Sequence, residues 1–165
     1  DISYNGIFTD IEIVCKIHGK FKQTPHNHLS GQGCPICNSS KKENIIREVL
    51  RKEGIMNIEQ KGFDYLKSIN PMHLDFYIPS INTAIECQGE QHFRPIDYFG
   101  GDEAFKKQVE RDRLKYDLCK EHGVNIIYFC DKVNSKYYIG TEYVFFTDKN
   151  DLIKYIINVK NNPNK

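Results

Sequence analysis

The sequence predicts an α/β fold in which helices flank a mixed central sheet, with a small metal-binding module in front of it. Three observations predict this fold. Two pairs of candidate metal ligands, Cys15/His18 and Cys34/Cys37, lie within residues 11–37, an alternating hairpin covers residues 73–88, and an amphipathic helix followed by an apolar strand covers residues 102–130. Helices and strands mixed in this way commonly pack as layers around one sheet.

The composition bounds the class of protein. The chain has 165 residues, which suits one domain with a modest core or a small module plus a domain. Its net charge of +1 neither indicates nor excludes nucleic-acid binding, because a local basic face is sufficient. There is no membrane-length apolar run and no signal peptide, so we expect a cytoplasmic, intracellular protein with no membrane partner. The chain starts at Asp1 without a methionine, which indicates a piece of a longer protein.

The first cysteines and histidines have the spacing of a zinc site. Cys15-x-x-His18 is followed after a loop by Cys34-x-x-Cys37. Two such pairs suit tetrahedral, structural Zn²⁺, and we expect residues 1–39 to form the zinc module. His28 is an alternative to His18 as the fourth ligand. Disulfides are disfavoured because the region holds three cysteines, and the later cysteines have apolar neighbours typical of buried thiols in a reducing compartment.

The segment from Ser40 to Gly54 is predicted to be a helix. Ser40 suits the N-cap, Glu43 completes a capping box, and Gly54 ends the helix. An apolar stripe at helical spacing faces one side and several basic residues face the other. Glu43 has two interpretations: it is the reciprocal partner of Ser40, or it points toward the hairpin that follows.

The hairpin carries the candidate chemistry. Pairing of Ile78 with Thr83 across a four-residue turn sets Asp75 opposite Glu86. Directly opposed carboxylates, about 4.5–5.5 Å apart at Cβ, repel each other unless a cation lies between them, and hard divalent ions such as Mg²⁺ take such oxygen ligands. The alternative is a solvated face with two unrelated acids. The apolar face of the hairpin is predicted to hold Leu74, Phe76, Ile78, Ile85 and Cys87.

Residues 102–122 are predicted to form a long helix, with Asp112 on its apolar stripe. An acid at that position is unusual, and an ion pair with Lys115 at i,i+3 would explain it. The other predicted elements are a weak strand at 57–62 followed by a polar connection, a functional loop after residue 88, strands at 124–130 and 143–147, a helix at 150–160 capped by Asp148, and a frayed tail at 161–165.

The order of these motifs resembles the PD-(D/E)xK nuclease superfamily. The helix with its Glu, then LDFY, IECQGEQHF, a charged helix and GVNIIYF follow the order seen in the very-short-patch repair endonucleases and related phage homing endonucleases. The likeness covers residues 40–147 and implies a restriction-endonuclease-like domain over residues 40–160. The segment CKIHGKF…HLSGQGCPIC resembles the treble-clef-like zinc fingers that often precede such domains in phage proteins.

The resemblance assigns a role to each matching residue. Asp75 matches the metal-binding Asp of the family, and Glu86 matches the acid of the next strand. Glu43 matches the helix Glu that supports the site. His92 matches the histidine that acts as general acid or base in the repair branch. Gln88 stands where many members have Lys, and the weaker matches are Gln91 and Asp112.

The Gln88 position departs from the family pattern, because a neutral amide cannot take a proton. Either His92 moves the proton, or Lys115 reaches in from the next helix, or the domain is weak or inactive. We favour His92, because an imidazole titrates near neutral pH.

The implied function is a Mg²⁺- or Mn²⁺-dependent DNA endonuclease of homing or repair type, encoded by a phage or virus, with the zinc module aiding DNA binding. It would nick one strand, or cut both as a homodimer, and RNA stays open as a substrate. The alternatives are a non-catalytic nucleic-acid-binding module on a degenerate nuclease fold and an unrelated zinc-stabilised interaction domain.

Overall fold

The computed structural model describes residues 6–17, 19–89, 92–96, 100–130 and 143–162. The chain divides into two compact units, Asp1–Asn44 and Ile45–Lys165. No helix within the described ranges is long and apolar enough to cross a membrane.

The first unit is a small hairpin followed by helical turns. Strands β1 (Ile11–Cys15) and β2 (Gly19–Gln23) pair antiparallel, so that Cys15 lies opposite Gly19 at the turn. Two short helices follow, α1 (Pro25–Asn27) and α2 (Pro35–Asn38). Each begins with proline, whose fixed φ and missing N–H suit the first helical position.

The second unit is a five-stranded mixed sheet with helices. In chain order its elements are α3 (Lys41–Lys52, whose first turn belongs to the first unit), β3 (Ile58–Lys67), β4 (Pro71–Ile78), β5 (Thr83–Gln88), α4 (Gly101–Glu121), β6 (Asn125–Cys130), β7 (Val144–Phe146) and α5 (Lys149–Asn161). The strand order is β3-β4-β5-β6-β7, antiparallel from β3 to β5 and parallel from β5 to β7. The predicted α/β class with a mixed sheet is therefore confirmed.

Alternation along β6 separates two hydrophobic clusters. Ile127 and Phe129 pack with the apolar stripes of α3 and α5, whereas Ile126 and Tyr128 pack with Cys119 of α4. The apolar face predicted for the hairpin is wrong at one position. Leu74 packs in the cluster of α4, while its companions Phe76, Ile78, Ile85 and Cys87 pack in the other.

The predicted turn and register of the hairpin are confirmed, and one strand is longer than predicted. Ile78 pairs with Thr83, and Asn82 takes a left-handed φ of 46° that closes the turn. The connection predicted after Gly62 is instead the second half of β3, because its aromatic and leucine side chains pack in the cluster of α4. Asp148 caps α5 as predicted, accepting hydrogen bonds from two backbone N–H groups of the first turn.

Candidate functional site

Each of the two predicted carboxylates accepts a hydrogen bond from a backbone N–H of the opposite strand. The backbone N–H of Asp75 donates to Oε1 of Glu86 at 3.1 Å, and the N–H of Cys87 donates to Oδ2 of Asp75 at 2.8 Å. The paired register runs from Ile78–Thr83 to Phe76–Ile85 and then gives way to these side-chain bonds. The carboxylates therefore lie where β4 and β5 part, with each acid anchored on the other strand.

A lysine from α4 completes this arrangement. Nζ of Lys115 lies 2.7 Å from Oε2 of Glu86 and donates to the carbonyl oxygen of His73 at 2.8 Å. The Lys115 and Glu86 side chains are only 12% and 11% exposed, so the ion pair is largely screened from water. A buried carboxylate of this kind requires a partner, because transfer of an unpaired charge from water is costly.

The environment of Glu86 favours its protonated form. Burial raises the pKa of Glu86 to about 7, the Asp75 carboxylate acts in the same direction, and the Lys115 ammonium opposes both. A further positive charge close to Glu86 would therefore stabilise its ionised form. Such a perturbed acid beside a second acid is a common feature of functional sites.

We expect this raised pKa to make stability fall as pH rises. The folded state holds the Glu86 proton more tightly than the unfolded state, whose glutamate has its ordinary pKa of 4.5. This contribution of Glu86 to the free energy of unfolding is fully present below pH 4.5 and is lost as pH rises through about 7. The loss is at most about 3 kcal/mol. Urea unfolding at about pH 5 and about pH 8, without divalent cation, should show this loss in wild type and not in Glu86→Gln. Parallel pH profiles for the two proteins would contradict the assignment.

His92 is held by an acid from α4. Its Nδ1 lies 2.6 Å from Oδ2 of Asp112, whose other oxygen accepts a hydrogen bond from Gln108 at 2.8 Å. This contact, and not the predicted ion pair with Lys115, explains the acid on the apolar stripe. Lys115 instead directs its ammonium to Glu86.

One face of α4 therefore serves both halves of the site. Residues at i and i+3 of a helix are neighbours on its surface. Asp112 and Lys115 have this spacing, so the imidazole that Asp112 holds and the Glu86 carboxylate that Lys115 holds contact adjoining positions of one helix face.

Two further glutamines belong to this region. Gln88, the last residue of β5, is 3% exposed and shares a face with Glu86 by strand alternation. Gln60 of β3 donates to Oδ1 of Asp75 at 3.4 Å, and its φ of 49° is left-handed. Such a backbone conformation costs a non-glycine residue about 1–3 kcal/mol and is common beside functional sites. The sequence contained no signal for the role of Gln60.

Glu43 lies in the first unit and caps α3. The Ser40 N–H donates to Oε1 of Glu43 at 3.2 Å, and the Glu43 N–H donates to Oγ of Ser40 at 3.1 Å. This reciprocal pair is the predicted capping box. The supporting role of Glu43 in catalysis, which the resemblance implies, stays a prediction.

Substitution of Glu43 separates these two roles. Glu43→Gln should leave the melting temperature near that of wild type, because a glutamine oxygen can also accept the Ser40 N–H. The catalytic role that the resemblance implies requires the carboxylate, so that role predicts a large loss of cleavage in the same variant. Glu43→Ala should lose about 1 kcal/mol in the free energy of unfolding. Thermal melting and a cleavage assay on the same samples check both values. A large loss of cleavage in Glu43→Gln at unchanged stability would assign the carboxylate to the catalytic site.

The three cysteines of the first unit form a cluster. The sulfur atoms of Cys15, Cys34 and Cys37 lie within 4.8 Å of one another, and those of Cys15 and Cys37 are 3.7 Å apart. Hydrogen bonding to Cys15, together with some desolvation and the nearby Cys34 thiol, raises the pKa of the exposed Cys37 to about 11. Thiols that resist deprotonation side by side are stabilised as thiolates by a cation, so this cluster can hold a metal ion.

The remaining predicted ligands are less well defined. His18, one candidate for the fourth zinc ligand, lies outside the described residues, as does Gln91, which is a weaker match to the nuclease pattern and not a predicted ligand. Nδ1 of His28, the alternative ligand, is 3.3 Å from Oε1 of Gln23.

Several basic side chains of α3 and α4 form ion pairs with acidic side chains. Arg47 forms a bidentate pair with Glu59, with both N···O distances 2.8 Å. Exposed pairs also engage Arg51, Lys107 and Arg113. Exposed pairs of this type contribute little to stability and can exchange partners, so they remain compatible with a surface that binds phosphate.

The chain is similar to viral proteins. Residues 1–38 match the family described as "Protein of unknown function (DUF723)", which covers 38 of the 165 residues. Uncharacterized protein 094L of Frog virus 3 (isolate Goorha) is 35% identical over 90 residues, covering 48% of this chain and 58% of that protein. Uncharacterized protein 307L of Invertebrate iridescent virus 6 is 35% identical over 57 residues, covering 34% and 29%.

Uncharacterized protein 033L of Invertebrate iridescent virus 3 is 37% identical over 59 residues, covering 35% of this chain and 30% of that protein. The chain thus matches less than two thirds of the length of each of these relatives.

Proposed function

We propose that the second unit is a metal-dependent DNA endonuclease of the PD-(D/E)xK type and that the first unit is a zinc module that helps to bind DNA. The observation that carries the proposal is the pair of carboxylates, Asp75 and Glu86, each hydrogen-bonded to the backbone of the opposite strand, with the partly buried Lys115 paired to Glu86. The Asp75 charge raises the pKa of Glu86, and two carboxylates this close to each other favour a cation between them.

The donor atoms fit a hard divalent cation. Asp75 and Glu86 would hold Mg²⁺ or Mn²⁺, since both ions favour carboxylate oxygens and leave positions for substrate phosphate. A cation bound there would polarise the scissile phosphate and lower the pKa of an attacking water. Lys115 would keep Glu86 oriented and balance part of the negative charge.

His92 would move the proton. With Nδ1–H donated to Asp112, Nε2 is the basic nitrogen of the ring. The carboxylate fixes the tautomer and the orientation of the imidazole, which is the usual arrangement of a general base and its orienting acid. This assigns proton transfer to His92 in place of the lysine that the family carries at Gln88.

The first unit suits zinc. Two thiolates bound at about 2.3 Å to one tetrahedral Zn²⁺ lie about 3.8 Å apart. The sulfur atoms of Cys15 and Cys37 are 3.7 Å apart, close to that value and far beyond a disulfide bond of about 2.05 Å. His18 or His28 would supply the fourth ligand. A site closed by four protein ligands is structural.

The proposed substrate is duplex DNA of a virus or its host, in line with the viral relatives. Exposed basic side chains of α3 and α4 would contact phosphates without reading sequence. A homodimer would bring together the two sites that a double-strand break requires.

The direct test is incubation of the zinc-loaded chain with supercoiled plasmid and Mg²⁺ or Mn²⁺, with a matched RNA substrate. We expect cation-dependent nicked or linear DNA that EDTA suppresses. A protein that shifts DNA in a gel but cuts no substrate would instead support a non-catalytic binding module. A protein that neither binds nor cuts nucleic acid would overturn both assignments.

A further inference from the structure

Gln88 presents a buried amide oxygen that no group in the described part of the chain satisfies. Among the described residues, its Oε1 is one of two buried side-chain polar atoms without a hydrogen-bond partner, the other being the hydroxyl oxygen of Tyr65. Buried polar atoms are nearly always paired, and an orphan costs about 1–3 kcal/mol. A ligand that bonds to the Gln88 oxygen at the end of β5 would offset this free-energy cost.

The orphaned oxygen lies on the strand face that carries the acid. Gln88 follows Glu86 by two residues, and both side chains are buried, so they project from the same face of β5. Both Glu86 oxygens already accept hydrogen bonds, one from the Asp75 N–H and one from Lys115. Gln88 therefore adds an oxygen without a hydrogen-bond donor among the described residues to the face of β5 that carries Glu86.

An amide oxygen is a suitable ligand for a hard cation. Carboxylates, backbone carbonyls and Asn or Gln carbonyls together form the oxygen shells of such ions. A glutamine adds a ligand without adding charge, which matters because Asp75 and Glu86 already repel each other. The positive group of the site comes from α4, through Lys115, and leaves the end of β5 for a neutral oxygen donor.

We propose that Oε1 of Gln88 is the third protein ligand, with Asp75 and Glu86, of a divalent-cation site selective for Mg²⁺ or Mn²⁺. The inference rests on the proposed function, since it extends the same cation site. It assigns Gln88 to cation binding and not to orientation of the attacking water.

Mn²⁺ binding to the zinc-loaded full chain, followed by electron paramagnetic resonance without DNA, tests this assignment. Gln88→Met keeps a similar volume but lacks the oxygen, and should weaken the Mn²⁺ Kd roughly tenfold or more. Gln88→Glu keeps an oxygen and adds charge, and should bind Mn²⁺ at least as tightly as wild type. Tyr65→Phe is the matched control, because it removes the other orphaned buried atom, and should leave the Mn²⁺ Kd unchanged.

The outcomes distinguish this assignment from the proposed function. Wild-type Mn²⁺ affinity in Gln88→Met, with cation-dependent cleavage intact, would overturn the ligand role and leave the nuclease in place. Gln88→Lys adds a decisive comparison: loss of Mn²⁺ binding in a folded protein supports the ligand role, whereas retained binding and faster cleavage would contradict it. Absence of both Mn²⁺ binding and cleavage in wild type would overturn both proposals.

Discussion

Asp75→Asn is expected to lower the rate of Mg²⁺-dependent DNA cleavage by roughly 10³-fold while leaving the fold intact. The asparagine oxygen can still accept the hydrogen bond that the Cys87 N–H donates to Asp75 at 2.8 Å, so the strand geometry is retained. The negative charge that would hold the cation is lost. Single-turnover cleavage of plasmid under excess enzyme measures the effect without a contribution from product release.

The control for this substitution is Asp64→Asn, which removes an exposed acid from β3 in the same unit. It should cleave like wild type, because an exposed acid with no part in the cation site contributes only to the surface charge. Cleavage by Asp75→Asn within about threefold of wild type, with the control also active, would remove Asp75 from the catalytic site.

Lys115→Met is expected to lower the free energy of unfolding by about 3–5 kcal/mol, because it leaves the buried Glu86 carboxylate without the Lys115 ammonium. The Lys115 ammonium lowers the Glu86 pKa, so its removal raises that pKa further. A raised folded-state pKa favours the folded protein at low pH and disfavours it as pH increases. The loss should therefore be larger at about pH 8 than at about pH 5, as measured by urea unfolding at each pH.

The double variant Lys115→Met/Glu86→Gln separates loss of the ion pair from loss of the hydrogen bond that Lys115 donates to the His73 carbonyl oxygen. Replacing both charges removes the unpaired carboxylate, so this protein should recover most of the stability that Lys115→Met loses. A double variant no more stable than the single one would show that the stability lost in Lys115→Met does not come from the unpaired Glu86 carboxylate.

Local patterns were sufficient to predict the hairpin, because its register depends on a short turn. Pro79 to Asn82 supplied the turn residues, and the alternation on either side identified the two strands. The capping box of α3 and the Asp148 cap of α5 were equally predictable, since each cap involves residues at most three apart.

The contacts that organise the candidate site were harder to predict, because they join distant residues. Lys115 and Glu86 are 29 residues apart, and His92 and Asp112 are 20 apart. The local i,i+3 pairing of Asp112 with Lys115 was the simplest hypothesis from the sequence, and the tertiary fold gives each of them a different partner. The placement of Leu74 was wrong because the alternation that holds from Phe76 to Ile78 does not extend to Leu74, which packs in the cluster of α4.

Divalent-cation binding by the buried Glu86 carboxylate can be tested most directly by thermal melting of the zinc-loaded chain with and without Mg²⁺. A ligand that binds only the folded state at a concentration about tenfold above its Kd should raise the melting temperature of wild type by roughly 3 °C. Glu86→Gln should show no such rise, although its own melting temperature can differ from that of wild type. An equal Mg²⁺-dependent rise in both proteins, or no rise in wild type up to millimolar Mg²⁺, would contradict a cation site at Asp75 and Glu86.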